Sequence, residues 1–185
     1  EGGEGMDRSD AARSAQARLE EWIRLHGDKV LRACYLWLKD VQLAEDAMQE
    51  TFLKAWKALP EYEQRAQMSD LAFLLRIAVN TCRDMRRGFW FTRVNRAVAL
   101  EDLPPGQLSV CDEDRSLFLS VTQLPLRHRQ ILILYYYIGL NLRECAQALG
   151  IQLSSAHHRL KRAEACLKTT LEGENTNEAQ VPSSH

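Results

Sequence analysis

Asn141-Leu-Arg-Glu-Cys-Ala-Gln-Ala-Leu-Gly150-Ile-Gln-Leu-Ser-Ser-Ala-His-His-Arg-Leu-Lys-Arg162 is the stretch that decides how this chain folds. Asn141 followed three residues later by Glu144 is a capping box for a short helix that ends at Leu149. Gly150 stands just past that end, where a left-handed residue stops a helix. Ser154 is the expected cap of a second helix reaching about Leu171. Two helices joined by a glycine turn form a helix-turn-helix. Ala146, Leu149, Ile151, Ala156 and Leu160 are small or apolar where the two helices must meet. Ser155, His157, His158, Arg159, Lys161 and Arg162 then occupy the outer face of the second helix. Such donors suit phosphates and base edges in a major groove. The alternative is a solvated amphipathic helix with a basic face.

Working outward, the same punctuation of caps and breakers continues, and strand-like alternation is nearly absent. Pro125 opens a helix through Ile138, ended by Gly139. Towards the N-terminus, Leu19, Trp22, Ile23 and Leu25 mark a helix expected to stop near Gly27, and Asp28 caps the next, Lys29 to Leu38. Asp40 caps a third, in which Ala44, Met48, Phe52, Ala55, Trp56 and Leu59 recur at helical spacing up to Pro60. Residues 60–68 read as a polar loop. Ser69 or Asp70 caps a fourth helix to about Arg87, with Leu71, Leu74, Leu75, Ala78 and Cys82 on its core face. Between Leu100 and Asp114 the periodicity fails, and Leu103-Pro-Pro-Gly106 marks a linker. Residues 172–185 read as disordered.

The fold class expected is therefore all-α: two small helical domains joined by a flexible acidic linker, the C-terminal one a helix-turn-helix. The boundaries are 1–8 for a scar or disordered start, 9–96 for the first domain, 97–114 for the linker, 115–171 for the second domain and 172–185 for the tail. Residues 1–5, EGGEG, precede the first methionine, Met6, and read as an expression scar.

Composition narrows the function. The 185 residues are 45% apolar and 26% charged, with a net charge of −1, an ordinary globular balance. The charge is unevenly placed. Arg76 to Arg96 holds six arginines against one aspartate. Ala97 to Arg115 holds five acids against one arginine, and Arg143 to Lys168 five bases against two acids. Two basic stretches flanking an acidic one fit a two-module binder better than a single compact enzyme. The five cysteines are scattered and form no CxxC pair, which argues against a zinc ribbon or a disulfide framework. No metal-ligand set, phosphate loop or nucleophile motif is present, so no cofactor, catalytic residue or small-molecule substrate is expected. The longest near-continuous apolar run, Ile131 to Leu140, is about half of the ~20 residues that span a bilayer. Direct membrane insertion is therefore not expected, and a cytoplasmic location is.

Two further constellations carry polar chemistry. Asp46, Gln49 and Glu50 share a side of the third helix near Phe52, a face that suits a protein partner or plain solvent. Asn80, Arg83, Arg86 and Arg87 sit at turn spacing, with Phe89, Trp90 and Phe91 close behind. They suit phosphates and unpaired bases, or a basic helix end complementing its own dipole. Tyr62 is ambiguous in the same way.

In their order, three segments resemble the extracytoplasmic-function sigma factors, the small two-domain sigma subunits of bacterial RNA polymerase. Leu43-Ala-Glu-Asp-Ala-Met-Gln-Glu-Thr-Phe-Leu-Lys-Ala-Trp56 resembles region 2.2. Phe73-Leu-Leu-Arg-Ile-Ala-Val-Asn-Thr-Cys-Arg-Asp-Met-Arg-Arg87 resembles regions 2.3 and 2.4. Leu124-Pro-Leu-Arg-His-Arg-Gln-Ile-Leu-Ile-Leu134 with the helix-turn-helix resembles region 4. The resemblance implies that core polymerase, through its β′ coiled coil and β flap, and promoter DNA are partners, and that an anti-sigma factor controls the protein. It implies that Asp46, Gln49, Glu50, Phe52 and Trp56 bind the coiled coil. Tyr62, Asn80, Arg83, Asp84, Arg86 and Arg87 would serve the −10 element, with the loop from Tyr62 to Met68 receiving a flipped base. Arg143, Ser155, His157, His158, Arg159, Lys161 and Arg162 would serve the −35 element. The chain departs from the family pattern at Phe73, where Trp is usual, and at His157, where Lys is usual. The remaining alternatives are a dimeric helix-turn-helix regulator and a structural helical adaptor.

Overall fold

The computed structural model describes residues 4–65, 67–89 and 120–178, and all regular elements among them are helical. α1 spans Glu4–Leu38, α2 Val41–Arg65 and α3 Asp70–Phe89. A helical turn at 120–123 leads into α4, Leu126–Leu132, which runs on as a π-helical turn, Ile133–Tyr137. α5 spans Leu142–Leu149 and α6 Leu153–Glu178. The linker at 97–114, Trp90, Phe91 and the end of the tail fall outside the described residues.

α1 is one helix where two were expected. Trp22, Val30, Ala33, Cys34 and Trp37 are wholly buried, and their spacing keeps helical phase straight through Gly27 and Asp28. A Cβ on Gly27 would meet only Ile23 Cγ2, at 3.8 Å. Its propensity cost of about 1 kcal/mol is outweighed by the aromatic burial on either side. α1 also begins at Glu4, well before the first apolar stripe. It stops at Lys39, which takes a left-handed backbone (φ 60°) and donates its N–H to Tyr35 O at 2.7 Å. Asp40 then caps α2 as expected, with Oδ1 accepting from Leu43 N at 3.1 Å.

α2 does not end before Pro60 but passes through it to Arg65. Proline removes one backbone bond there, and tertiary contacts hold the final turn. The Tyr62 ring stacks on Phe73 at 4.1 Å and meets Trp22 edge-on at 5.7 Å. The Tyr62 hydroxyl lies 2.7 Å from Asp70 Oδ1 and 2.9 Å from Met68 O. The expected long loop shrinks to a few residues. Ser69 is the cap of α3: its carbonyl accepts from Phe73 N at 2.9 Å and its hydroxyl from Ala72 N at 3.4 Å. Asp70, freed from capping, also binds Arg18 at 2.9 Å.

In the C-terminal half the capping box is complete: Glu144 N donates to Asn141 Oδ1, and Asn141 N to Glu144 Oε2, each at 3.0 Å. Gly150 is left-handed (φ 65°), and Ile151 N reaches back to Ala146 O at 3.0 Å, a Schellman-type end. One cap differs. Ala156 N bonds Gln152 O, so α6 starts two residues early and Ser154 lies inside its first turn. α6 also continues to Glu178, past the expected end at Leu171.

The two halves share one core. α3 packs against α5, and α1 touches α4. Arg129, 4% exposed, donates to Thr122 O at 2.8 Å and to Trp37 O at 3.2 Å. It thereby completes the C-terminal end of α1 from the other domain.

Candidate nucleic-acid interface

Three outer faces carry the polar residues singled out in the sequence. On α2, Asp46 and Gln49 are exposed and Glu50 is half-buried, paired to Lys54 at 3.3 Å. Phe52 does not join them. It is 5% exposed and belongs to the core, because its phase follows Ala44, Ala55 and Leu59. Trp56 does project, 44% exposed, beside Leu53 at 49%. Leu53 went unnoticed in the sequence because leucine in a helical stripe reads as core. Its position four residues after Gln49 and three before Trp56 was the available signal. This face sets Asp46, Gln49 and Glu50 one turn before two exposed apolar side chains, with the exposed Lys54 and Lys57 beside them.

On α3, Asn80, Arg83, Asp84 and Arg87 are exposed and Arg86 is half-buried. Arg83 Nη1 lies 3.3 Å from Asn80 Oδ1, which holds both on the same strip of surface. At the other end of α3 is a cavity of about 340 Å³ lined by Ala58, Glu61, Tyr62, Gln67, Met68, Phe73 and Arg76. Its lining mixes apolar and aromatic side chains (Ala58, Tyr62, Met68, Phe73) with polar ones (Glu61, Gln67, Arg76). Tyr62 contributes a wall, since one ring face is taken by Phe73 and its hydroxyl by Asp70. Burial and the Asp70 hydrogen bond push the Tyr62 phenol well above its usual value. The Arg18–Asp70–Tyr62 network behind this wall was not legible in the sequence, because its members lie far apart along the chain.

On α6, Ser155, His157, His158, Lys161 and Arg162 are exposed and Arg159 is half-buried; Arg143 is exposed on α5. Burial, then the charges of Arg127 and Arg83, lower the Arg159 pKa. Burial, Arg127, Arg159 and Arg162 likewise keep His128 below the usual histidine value. A cationic field therefore extends from α4 across α6 to the Arg83 side of α3, with no carboxylate paired to Arg83, Arg127 or Arg159 among the described residues.

Three of the cysteines among the described residues are buried. Cys34 and Cys82 are fully buried, and contact with Cys82 together with burial raises the Cys34 thiol. Burial pushes Cys145 up to about 12. No group of three His, Cys, Asp or Glu side chains that could hold a metal ion occurs among the described residues, and none of their helices is long and apolar enough to cross a membrane.

An all-helical pair of domains, one with an arginine strip at one end of α3 and a cavity at the other, and one with a basic helix-turn-helix, defines a bipartite DNA-binding factor. The Sigma-70 region 2 family model matches residues 22–92, and the Sigma-70 region 4 model residues 115–167. RNA polymerase sigma factor NccH of Alcaligenes xylosoxydans xylosoxydans is 29% identical over 88% of this chain and 91% of its own length. The probable RNA polymerase sigma factor RfaY of Xanthomonas campestris is 32% identical over 72% of this chain, which spans only 35% of that protein. The structure of CnrH in complex with the cytosolic domain of CnrY superposes with a TM-score of 0.66 at 25% identity, covering 90% of this chain and 97% of that one. The chain belongs to the extracytoplasmic-function sigma factors, which direct bacterial RNA polymerase to promoters.

Proposed function

We propose that the three faces divide promoter initiation among them. Asp46, Gln49 and Glu50, with Leu53 and Trp56, seat the core polymerase coiled coil. Two exposed apolar side chains next to polar ones favour such a partner, since exposed aromatic anchors carry much of the energy of protein interfaces. Asn80, Arg83, Asp84, Arg86 and Arg87 follow the −10 strand, and the cavity behind Tyr62 takes an unstacked base. Arg143, Ser155, His157, His158, Arg159, Lys161 and Arg162 read the −35 duplex. Residues 9–96 and 115–171 are the two working domains, and 97–114 joins them. The chain works in the cytoplasm and supplies promoter choice and melting, while the polymerase supplies the chemistry. An anti-sigma factor holds it inactive, as the complex of the similar CnrH with the cytosolic domain of CnrY supports.

The observation that carries this reading is the base-sized cavity at one end of α3, the helix that carries the arginine strip at its other end. Flipping a base costs a few kcal/mol, which a duplex-reading regulator never has to recover. The test is Arg86→Ala with Arg87→Ala. The double variant binds core polymerase like the parent but opens linear promoter DNA more slowly, read by permanganate reactivity of −10 thymines. Pre-melting the −10 region restores most of the activity. Opening at the parental rate refutes the assignment of α3.

A further inference from the structure

Arg127 belongs to none of the three faces assigned above, yet it stands at the edge of the third. It is exposed in the first turn of α4, and α4 packs against α6, the recognition helix. Burial first, then the charge of Arg127, lowers both Arg159 and His128 from their usual values. His128 is 7% exposed and feels Arg159 and Arg162 as well. The start of α4 and one turn of α6 thus crowd three guanidinium groups around one buried imidazole.

This crowding costs the free protein stability. No carboxylate is paired to Arg127, Arg159 or Arg162 among the described residues. α4 has no acid in its first turn, and the positive end of a helix dipole disfavours a cation there. Arg127 repels its neighbours, opposes the dipole of its own helix and stays exposed, so its presence serves something other than folding. The residues after it do the holding. His128 N and Arg129 N donate to Pro125 O at 2.9 and 3.0 Å, and Arg129 Nη1 donates to Thr122 O at 2.8 Å. Arg127 therefore projects from a fixed element, as a positioning contact requires.

We propose that Arg127 is a backbone-phosphate contact of the −35 duplex, an arm on α4 that sets the register of α6 in the groove. Packed helices lie about 8–10 Å apart, so guanidinium groups on α4 and α6 reach phosphates that flank the base pairs α6 reads. A phosphate between Arg127 and Arg159 turns their repulsion into attraction to a shared anion. Phosphate contacts fix register and carry no sequence information themselves. The proposal rests on the −35 reading given above and adds α4 to a face otherwise built from α5 and α6.

The test uses holoenzyme assembled from the full chain and core polymerase. The parental holoenzyme selects a promoter from a randomised duplex library. Fluorescence anisotropy then follows binding of the selected duplex, and of a copy with its −35 element scrambled, from about 50 to 300 mM potassium chloride. Arg127→Gln lowers the slope of log affinity against log salt by about 0.9 on both duplexes and leaves their affinity ratio at the parental value. Arg127→Lys, which keeps a point charge for the phosphate, retains the parental slope. The urea midpoint of Arg127→Gln is equal to or above that of the parent. An unchanged slope in Arg127→Gln overturns the phosphate contact. Weaker binding with an unchanged slope and a lower urea midpoint shows a structural role and overturns it too. A changed affinity ratio overturns the positioning role in favour of base reading. A selected promoter without an upstream element overturns the −35 reading itself, and the Arg127 arm with it.

Discussion

The N-terminal and C-terminal domains solve the same problem, presenting a polar helix face to a partner, by different means. In the N-terminal domain the site is positioned by distant packing. Trp22, Tyr62 and Phe73 interlock, and Arg18 and Asp70 tie α1 to the start of α3 and the end of α2. In the C-terminal domain the turn that sets the recognition helix is fixed locally, by the Asn141–Glu144 box and the left-handed Gly150. One domain depends on volume and the other on chain punctuation, so their weak points differ in kind.

The sharpest way to break the comparison is Trp22→Ala. Truncating a wholly buried tryptophan costs about 3–5 kcal/mol, and the loss reaches the cavity wall through Tyr62. Urea denaturation followed by circular dichroism checks this. Because the two halves share a core, a single cooperative transition moves to lower urea. A shift confined to one of two transitions shows instead that the halves unfold independently.

A smaller effect is expected at the turn. Gly150→Ala places a Cβ on a left-handed backbone (φ 65°) at a cost of about 1–2 kcal/mol. No atom lies within 4 Å of that Cβ, so the cost is conformational alone. Gly150→Asn, which tolerates this conformation better, recovers part of it in the same denaturation experiment.

The contrast between the domains also explains what the sequence reveals. The helix-turn-helix was legible almost residue by residue because its signals are local: a cap, its partner three positions later, a glycine. Both ends of α6 differ: Gln152 rather than Ser154 precedes the first turn, and the helix runs past Leu171 to Glu178. In the N-terminal domain the cap Asp40 was equally legible and the cap of α3 was narrowed to Ser69 or Asp70, but Gly27 and Pro60 were misleading. Both are breakers by propensity, and both are overridden by aromatic packing from elements far away in sequence. The same limit applies to the site. The exposed polar residues were identifiable from helical spacing. The inward turn of Phe52, the outward turn of Leu53 and the Ser69–Glu144 contact were not, because no local pattern reports which spare oxygen of a cap meets another domain.

The smallest predicted effect concerns how firmly the two halves hold each other. Burial, then Arg129 and Arg86, lowers the Lys39 pKa from its usual 10.5 to about 8. Arg129 belongs to the other half and Arg86 to the same one, so an open molecule loses the Arg129 charge and the Lys39 value moves back towards 10.5. Between those two values the open form binds more protons, so closure strengthens as pH rises through that window. The radius of gyration is therefore expected to be smaller at pH 9.5 than at pH 7.5, and Lys39→Met removes the difference. An unchanged radius in the parent refutes the coupling.

Arg129 closes the end of α1 across 92 residues of sequence, and that separation has a consequence in time. A ribosome adding about 5–20 residues per second leaves the Trp37 carbonyl without that guanidinium for roughly 5–18 s after it has itself been made. During that interval the nascent first domain must hold its last helical turn with its own backbone, through the Lys39–Tyr35 bond. The residue that finishes the first domain is thus delivered by the second, and synthesis reaches the open form before the closed one exists.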